Sequence, residues 1–346
     1  MGLLQKASLH YHERMASRLR CKLAACCLLI FFPLCTVFAG GRQQTHDPDD
    51  VMAESSYYEA QSEDQTTTLT ENSDAKDRPR KIVEALIKAY PDRIGNVEFQ
   101  DGDWTMEVSG EKFYFAEGRL LPAQLRDKIS EYNPHPFYNY DKELPTWQAL
   151  TEEESARMKE REALRSKSPS KRSTHFYDAL WRTRSKEEAW EHAKQIRFLG
   201  HPVLVHYSIL TKLSLVEEQI LRESKTNTTV RQWIDNLKNL ESWNWRNIAS
   251  TQSRSYHAYG GAIDLLPKSL GGLETYWLWT ANKIPEWWNV PYARRFHPPD
   301  EVIRAFESFG FIWGGKWRYY DTMHFEYRPE ILILSGIDMI DPRDLR

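Results

Sequence analysis

In the stretch SYHAYGGAID, residues 255–264, His257 and Asp264 stand seven positions apart with Gly260 and Gly261 between them. On one continuous strand they would be about 23 Å apart and face opposite sides, so they would share no ligand. Adjacent glycines change this, because they admit backbone conformations closed to residues with a Cβ and let the chain turn back. The imidazole and the carboxylate can then converge on one point. A second pair lies in GFIWGGKWRYYDTMHFEYRP, where Asp321 and His324 are three apart and HFEY reads as a strand leaving their turn.

His257, Asp264 and His324 together offer two imidazoles and one carboxylate. With a fourth position open to water this set suits catalytic zinc, whereas closed structural sites are usually rich in cysteine. Zinc brings the pKa of a water towards about 7 and polarises a carbonyl oxygen, which opens an amide to attack near neutral pH. Asp321, close to the metal without ligating it, is then placed to take a proton from that water and return it to the leaving amine. The bland alternative is three unrelated polar residues in ordinary hydrogen bonds; two ordered motifs weigh against it.

Other residue types with chemical potential have simpler readings. His175, His192, His201, His206 and His297 read as structural or surface-loop histidines. Trp277, Trp279, Trp287 and Trp288 either stack on the sugar rings of a glycan or fill the core, and the core reading is favoured because aromatic side chains mainly contribute buried area. Gly314 and Gly315 shape a cleft or a tight turn. Glu326 would share a strand face with His324, as its hydrogen-bond partner or as an exposed or Arg-paired residue.

The elements that must position these groups begin well into the chain. Its 346 residues, 41% hydrophobic and 13% aromatic, allow one large or two modest domains with a real core. Residues 1–39 carry a basic leader and an apolar run, LAACCLLIFFPLCTVFA, that read as a signal peptide or membrane anchor, so an exported protein is expected, periplasmic or associated with the cell envelope. A tether to the membrane through this segment is one form of that expectation. All four cysteines, Cys21, Cys26, Cys27 and Cys35, fall inside it, so a chain cut after Ala39 has no disulfide partners and no thiolate metal site. A net charge of −3, without a basic stripe, excludes nucleic acid as the expected partner.

Residues 40–80 are polar and acidic and read as a disordered linker. Residues 81–150 read as a small accessory α/β region: KIVEALIKAY has helical periodicity up to Pro91, and Trp104, Met106 and Val108, then Phe113 and Phe115, alternate around Gly110 as a hairpin. Residues 151–346 hold the chemistry, with a core at about 185–335. Thr151 with Glu154, and Ser185 with Glu188, mark capping boxes, the second opening a helix that runs to Gly200. A strand is expected at 202–206 and helices at 210–223 and 229–240. The expected class is α+β, a small antiparallel sheet carrying the metal site with helices packed on it.

Arg254-Ser255-Tyr256-His257 with Gly260, Ala262 and Asp264, then Trp313-Gly314-Gly315 and Asp321-Thr322-Met323-His324-Phe325, resemble the M15 family of zinc peptidases over about residues 240–330. That family includes VanY-type D-alanyl-D-alanine carboxypeptidases and L-alanyl-D-glutamate endopeptidases. The resemblance implies a hedgehog/DD-peptidase-like fold, one zinc on His257, Asp264 and His324, and Asp321 as the catalytic base. It also implies that Arg254 and Ser255 hold carboxylate or carbonyl groups of a peptidoglycan stem peptide. Aspartate at the base position is the endopeptidase branch's choice, where the carboxypeptidases usually carry glutamate. The competing expectation is a module of the same fold that binds cell-wall peptide without cutting it.

Overall fold

The computed structural model describes residues 74–248 and 250–345. The leader, its cysteines and most of the linker lie outside these residues. What is described is α+β, with three small antiparallel sheets. None of the helices among the described residues is long and apolar enough to cross a membrane.

Helix α1 (Asp74–Ala89) starts inside the segment read as linker, so the boundary at residue 80 falls too late. Its first turns are secured from outside the helix, where Arg78 Nη2 donates to the Phe137 carbonyl at 2.7 Å. Ile82, Val83 and Leu86 turn inward. Four strands follow in order: β1 (Ile94–Gln100), β2 (Asp103–Val108), β3 (Glu111–Tyr114) and β4 (Leu121–Pro122). Ser109 and Gly110, both at positive φ, make the two-residue turn between β2 and β3. This region shares one continuous apolar core with the described residues that follow it, from Ile82 to Leu332.

Helix α2 (Glu152–Lys167) opens with a complete capping box on Thr151 and Glu154. Helix α3 (His175–Trp181) is short and almost wholly buried. Helix α4 (Lys186–His192) is capped by Ser185 but does not run to Gly200. Residues Ala193–Phe198 form strand β5, paired to β6 (His201–His206) through a turn in which Leu199 and Gly200 both take positive φ. The same correction applies after α5 (Leu210–Glu223). Helix α6 (Thr228–Asp235) stops early and Leu237–Glu241 becomes strand β7. In both places a partner strand outcompetes helical continuation, because pairing satisfies the backbone groups and buries one side.

The central sheet has the order β7-β8-β10-β9, with β8 (Ala262–Pro267), β9 (Phe311–Trp313) and β10 (His324–Tyr327), all antiparallel. Before β8 lies the single turn of helix α7 (Tyr256–Tyr259), and after it come α8 (Trp277–Ala281) and α9 (Asp300–Ser308). Phe306 of α9 stacks on Phe325 of β10 with ring centroids 4.0 Å apart, which fixes the helix against one face of the sheet. Helix α10 (Pro329–Leu334) packs against α1. Trp277, Trp287 and Trp288 are buried, with Trp277 and Trp287 centroids 4.8 Å apart, so these three fill core; Trp279 is half-buried against Tyr276.

Candidate metal centre

Strands β8 and β10 pair so that His324 lies directly opposite Asp264. Directly opposed residues of an antiparallel pair put their side chains on the same face within easy reach. His257 arrives from α7. Ser255 caps that turn by accepting from the His257 amide at 3.3 Å, and Gly260 closes it at φ +71°. A Cβ at Gly260 would stand 2.7 Å from the His206 nitrogen, so the position requires glycine both for its conformation and for space.

The three side chains meet. His324 Nδ1 lies 2.8 Å from Asp264 Oδ1, and His257 Nε2 lies 3.2 Å from Asp264 Oδ2 and 3.2 Å from His324 Nδ1. All three residues are buried. Asp321 is not one of the converging groups. It sits on the turn that delivers His324, accepting from the Met323 amide through Oδ1 at 3.3 Å and from the His324 amide through its carbonyl at 3.3 Å. The Gly314-Gly315 pair allows this turn to fold back: the Asp321 amide donates to the Gly314 carbonyl at 3.1 Å, and a Cβ at Gly314 would stand 2.6 Å from the Asp321 oxygen.

The outward nitrogens of both imidazoles are committed. His257 Nδ1 lies 2.7 Å from the Ser242 carbonyl oxygen, which can only accept, so this nitrogen carries the proton and Nε2 presents a lone pair. His324 Nε2 lies 3.3 Å from Glu326 Oε2, an acceptor that would hold the proton there and free Nδ1 as a ligand once a cation replaced the contact between Nδ1 and Asp264. Two ring nitrogens and a carboxylate therefore face one another at 2.8 to 3.2 Å, and with each ring's proton on its outward nitrogen they would present two lone pairs and an anion to one point. One shared proton would bridge a single pair of them; a divalent cation satisfies all three at once. Tetrahedral zinc with bonds of about 2.0–2.1 Å sets its ligand atoms about 3.3 Å apart, so a slight expansion of the cluster accommodates it. The residues present fit the ion.

Electrostatics agree with this donor set. Burial would raise the Asp264 carboxyl, but when the imidazoles carry protons towards it, the charge and hydrogen bonds of His257 and His324 outweigh burial and hold it ionised, below the usual carboxylate range, as a ligand requires. Glu241, opposite Asp264 on β7, is pushed up by burial and then by the Asp264 charge. The Trp317 ring lies 5.5 Å from the His324 ring and closes that side of the site.

Arg254 and Ser255 immediately precede α7, the turn that carries His257. The Arg254 guanidinium pairs with Asp178 at 2.5 Å, donates to the Thr183 carbonyl at 3.1 Å, and lies 4.1 Å over the Trp245 ring. Ser255 is 2% exposed. His206 is a buried structural histidine on the Trp181 carbonyl, and His297 lies in a loop beside Asp300. Glu326 departs from the exposed default: it is 0% exposed, bonded to His324 on one side and to Arg328 on the other. The Ser242 carbonyl was beyond sequence reasoning, because a backbone oxygen carries no residue signature.

Residues 249–327 match a family model described as D-alanyl-D-alanine carboxypeptidase, Peptidase_M15_4, and this match supports the M15 peptidases as the family of that segment. Residues 82–137 match a domain of unknown function, DUF8518. No curated protein and no solved structure matches the chain.

Proposed function

We propose that this chain is a zinc-dependent metallopeptidase hydrolysing an amide bond in peptidoglycan stem peptides. The observation that carries the reading is the convergence of His257 Nε2, Asp264 and His324 Nδ1, with the other nitrogen of each imidazole committed to an acceptor. The match of residues 249–327 to an M15 family model supports the reaction class. When bound, zinc supplies Lewis acidity, polarising the scissile carbonyl and acidifying the attacking water.

The remaining work falls to the chain's own groups. In this reading His257, Asp264 and His324 hold the ion, and Ser242 and Glu326 keep both imidazoles in the ligating tautomer. Asp321 takes the proton of the attacking water on its carboxylate and delivers it to the leaving amine. Arg254 and Ser255 hold a substrate carboxylate or carbonyl, on a guanidinium already fixed by Asp178. Trp317 and the buried strands limit solvent around the ligands, which strengthens each charge interaction there. The central sheet with its packed helices is read as hedgehog/DD-peptidase-like, and the leader as placing the enzyme outside the cytoplasm, at the cell envelope.

Two bonds compete. The family description names a D-Ala-D-Ala carboxypeptidase, whereas aspartate at position 321 favours the L-Ala–D-Glu endopeptidase type. Digestion of purified peptidoglycan by the full chain with zinc separates them: released D-Ala marks the first, new L-Ala carboxyl ends the second. Asp321→Asn should lower turnover by about 10²–10⁴-fold while zinc stays bound. Muropeptides that bind but stay intact would replace the enzyme by a binding module, and full activity of Asp321→Asn would remove that residue from the proton's path.

A further inference from the structure

The carboxylate that holds His324 is the first link of a buried ion chain leading away from the metal centre. Glu326 Oε1 receives Arg328 Nη1 at 3.4 Å, and Arg328 Nε donates to Glu330 Oε1 at 2.5 Å. Glu330 Oε2 in turn accepts from the Tyr90 hydroxyl at 2.9 Å, and Arg328 Nη2 donates to the Pro136 carbonyl at 3.0 Å. Glu326, Arg328 and Glu330 are each 0% exposed. The Arg328 guanidinium also lies 4.9 Å from the ring centre of Tyr256, the residue beside His257.

Burying three charges is expensive, and well-packed apolar residues at such positions commonly give equal or greater stability. What the ion chain provides is geometry. A planar guanidinium has donors in fixed directions, so bonds to Glu326, Glu330 and Pro136 together leave Arg328 one orientation. Tyr90 and Pro136 both lie within residues 82–137, the segment matched to a domain of unknown function. Tyr90 follows the last turn of α1, and α1 packs on α10, which carries Glu330.

We infer that residues 82–137 form part of the metal centre's support: Tyr90 and Pro136 fix Glu330 and Arg328, Arg328 fixes Glu326, and Glu326 holds the His324 imidazole with Nδ1 towards the ion. Tyr90, Arg328 and Glu330 are positioning residues. The inference rests on the metal-binding reading above. It gives the N-terminal region a role in ligand geometry, without contact to substrate.

The test uses the full chain, with zinc affinity measured by competition against a chromophoric chelator and ligand geometry read from the visible absorption of the cobalt(II) form. Arg328→Lys keeps the cation but loses the fork, and should weaken zinc by about 10–100-fold and shift the cobalt bands. Tyr90→Phe, nearly isosteric, should weaken it by a smaller factor, about three- to tenfold, with a shift in the same direction. If the unmodified chain binds no zinc, the metal reading fails and takes this inference with it. If it binds zinc, and Tyr90→Phe and Arg328→Lys bind equally well with unaltered cobalt bands, the ion chain is packing alone and only this inference is overturned.

Discussion

Replacing Gly260 by alanine tests how the turn between α7 and β8 delivers His257. Two costs add. At φ +71° an alanine Cβ meets its own carbonyl, a penalty of about 1–2 kcal/mol. That Cβ would also stand 2.7 Å from the His206 nitrogen and 3.2 Å from its Cβ. His206 has little room to retreat, since its amide donates to the Gly260 carbonyl at 2.9 Å and its ring is bonded to the Trp181 carbonyl at 2.8 Å. Forcing atoms into such a site costs about 1–3 kcal/mol more, for a total of about 2–5 kcal/mol. Gly200 provides the comparison: its φ is +83° but nothing lies within 4 Å of an added Cβ, so Gly200→Ala carries only the conformational cost. Urea unfolding of both variants at pH 7 measures the difference, expected at about 1–3 kcal/mol. Zinc affinity should fall in Gly260→Ala and hold in Gly200→Ala. Equal destabilisation by the two substitutions would refute the steric argument; unchanged zinc affinity in Gly260→Ala would refute the link between this turn and the ligand.

Burial first, and neighbouring arginines second, bring His206 and His135 down from 6.5 to about 3, so the folded chain keeps both neutral where the unfolded chain protonates them. Stability should therefore fall with pH between about 6.5 and 3, at about 1.4 kcal/mol per pH unit for each histidine, and urea unfolding of His135→Asn across that range should show a shallower dependence. Burial pushes Asp178 up to about 6 against the pull of Arg254, and this opposes the trend between 6 and its ordinary 3.8. Trp287→Ala, removing a side chain 2% exposed, should cost about 3–5 kcal/mol, and the half-buried Trp279→Ala about 1 kcal/mol; equal effects would contradict the division between core and rim.

The members of the cluster were legible because their signals are local: two glycines that bend one segment, a three-residue spacing that shapes the other, and residue types with matching donor atoms; the pairing of β8 with β10 that sets Asp264 opposite His324 carries no such local signal. Helix α5 was legible for a similar reason, its apolar stripe giving the bounds 210–223 that the structure has. Ala193–Phe198 and Leu237–Glu241 were not, because each is a strand only by virtue of a partner, His201–His206 in one case and β8 in the other. A helical window cannot contain that partner. The start of α1 was hidden likewise, since Arg78 is secured by a carbonyl 59 residues away. At the site, Asp264 and His324 announce themselves by type, whereas the Ser242 carbonyl and the path from Glu326 to Tyr90 are built of groups that look ordinary until the fold assembles them.

Asp264 and His324 are cross-strand neighbours in a ladder whose side chains alternate between faces. If β10 slid by a single position along β8, His324 would stand beside Ile263 or Leu265 and the cluster would come apart. An ion captured by these side chains would therefore act as a proofreader of strand alignment, rewarding one pairing among the neighbouring possibilities. On the metal-binding reading, folding of the central sheet and acquisition of the cation would be coupled, and chelation would favour chains that have assembled correctly.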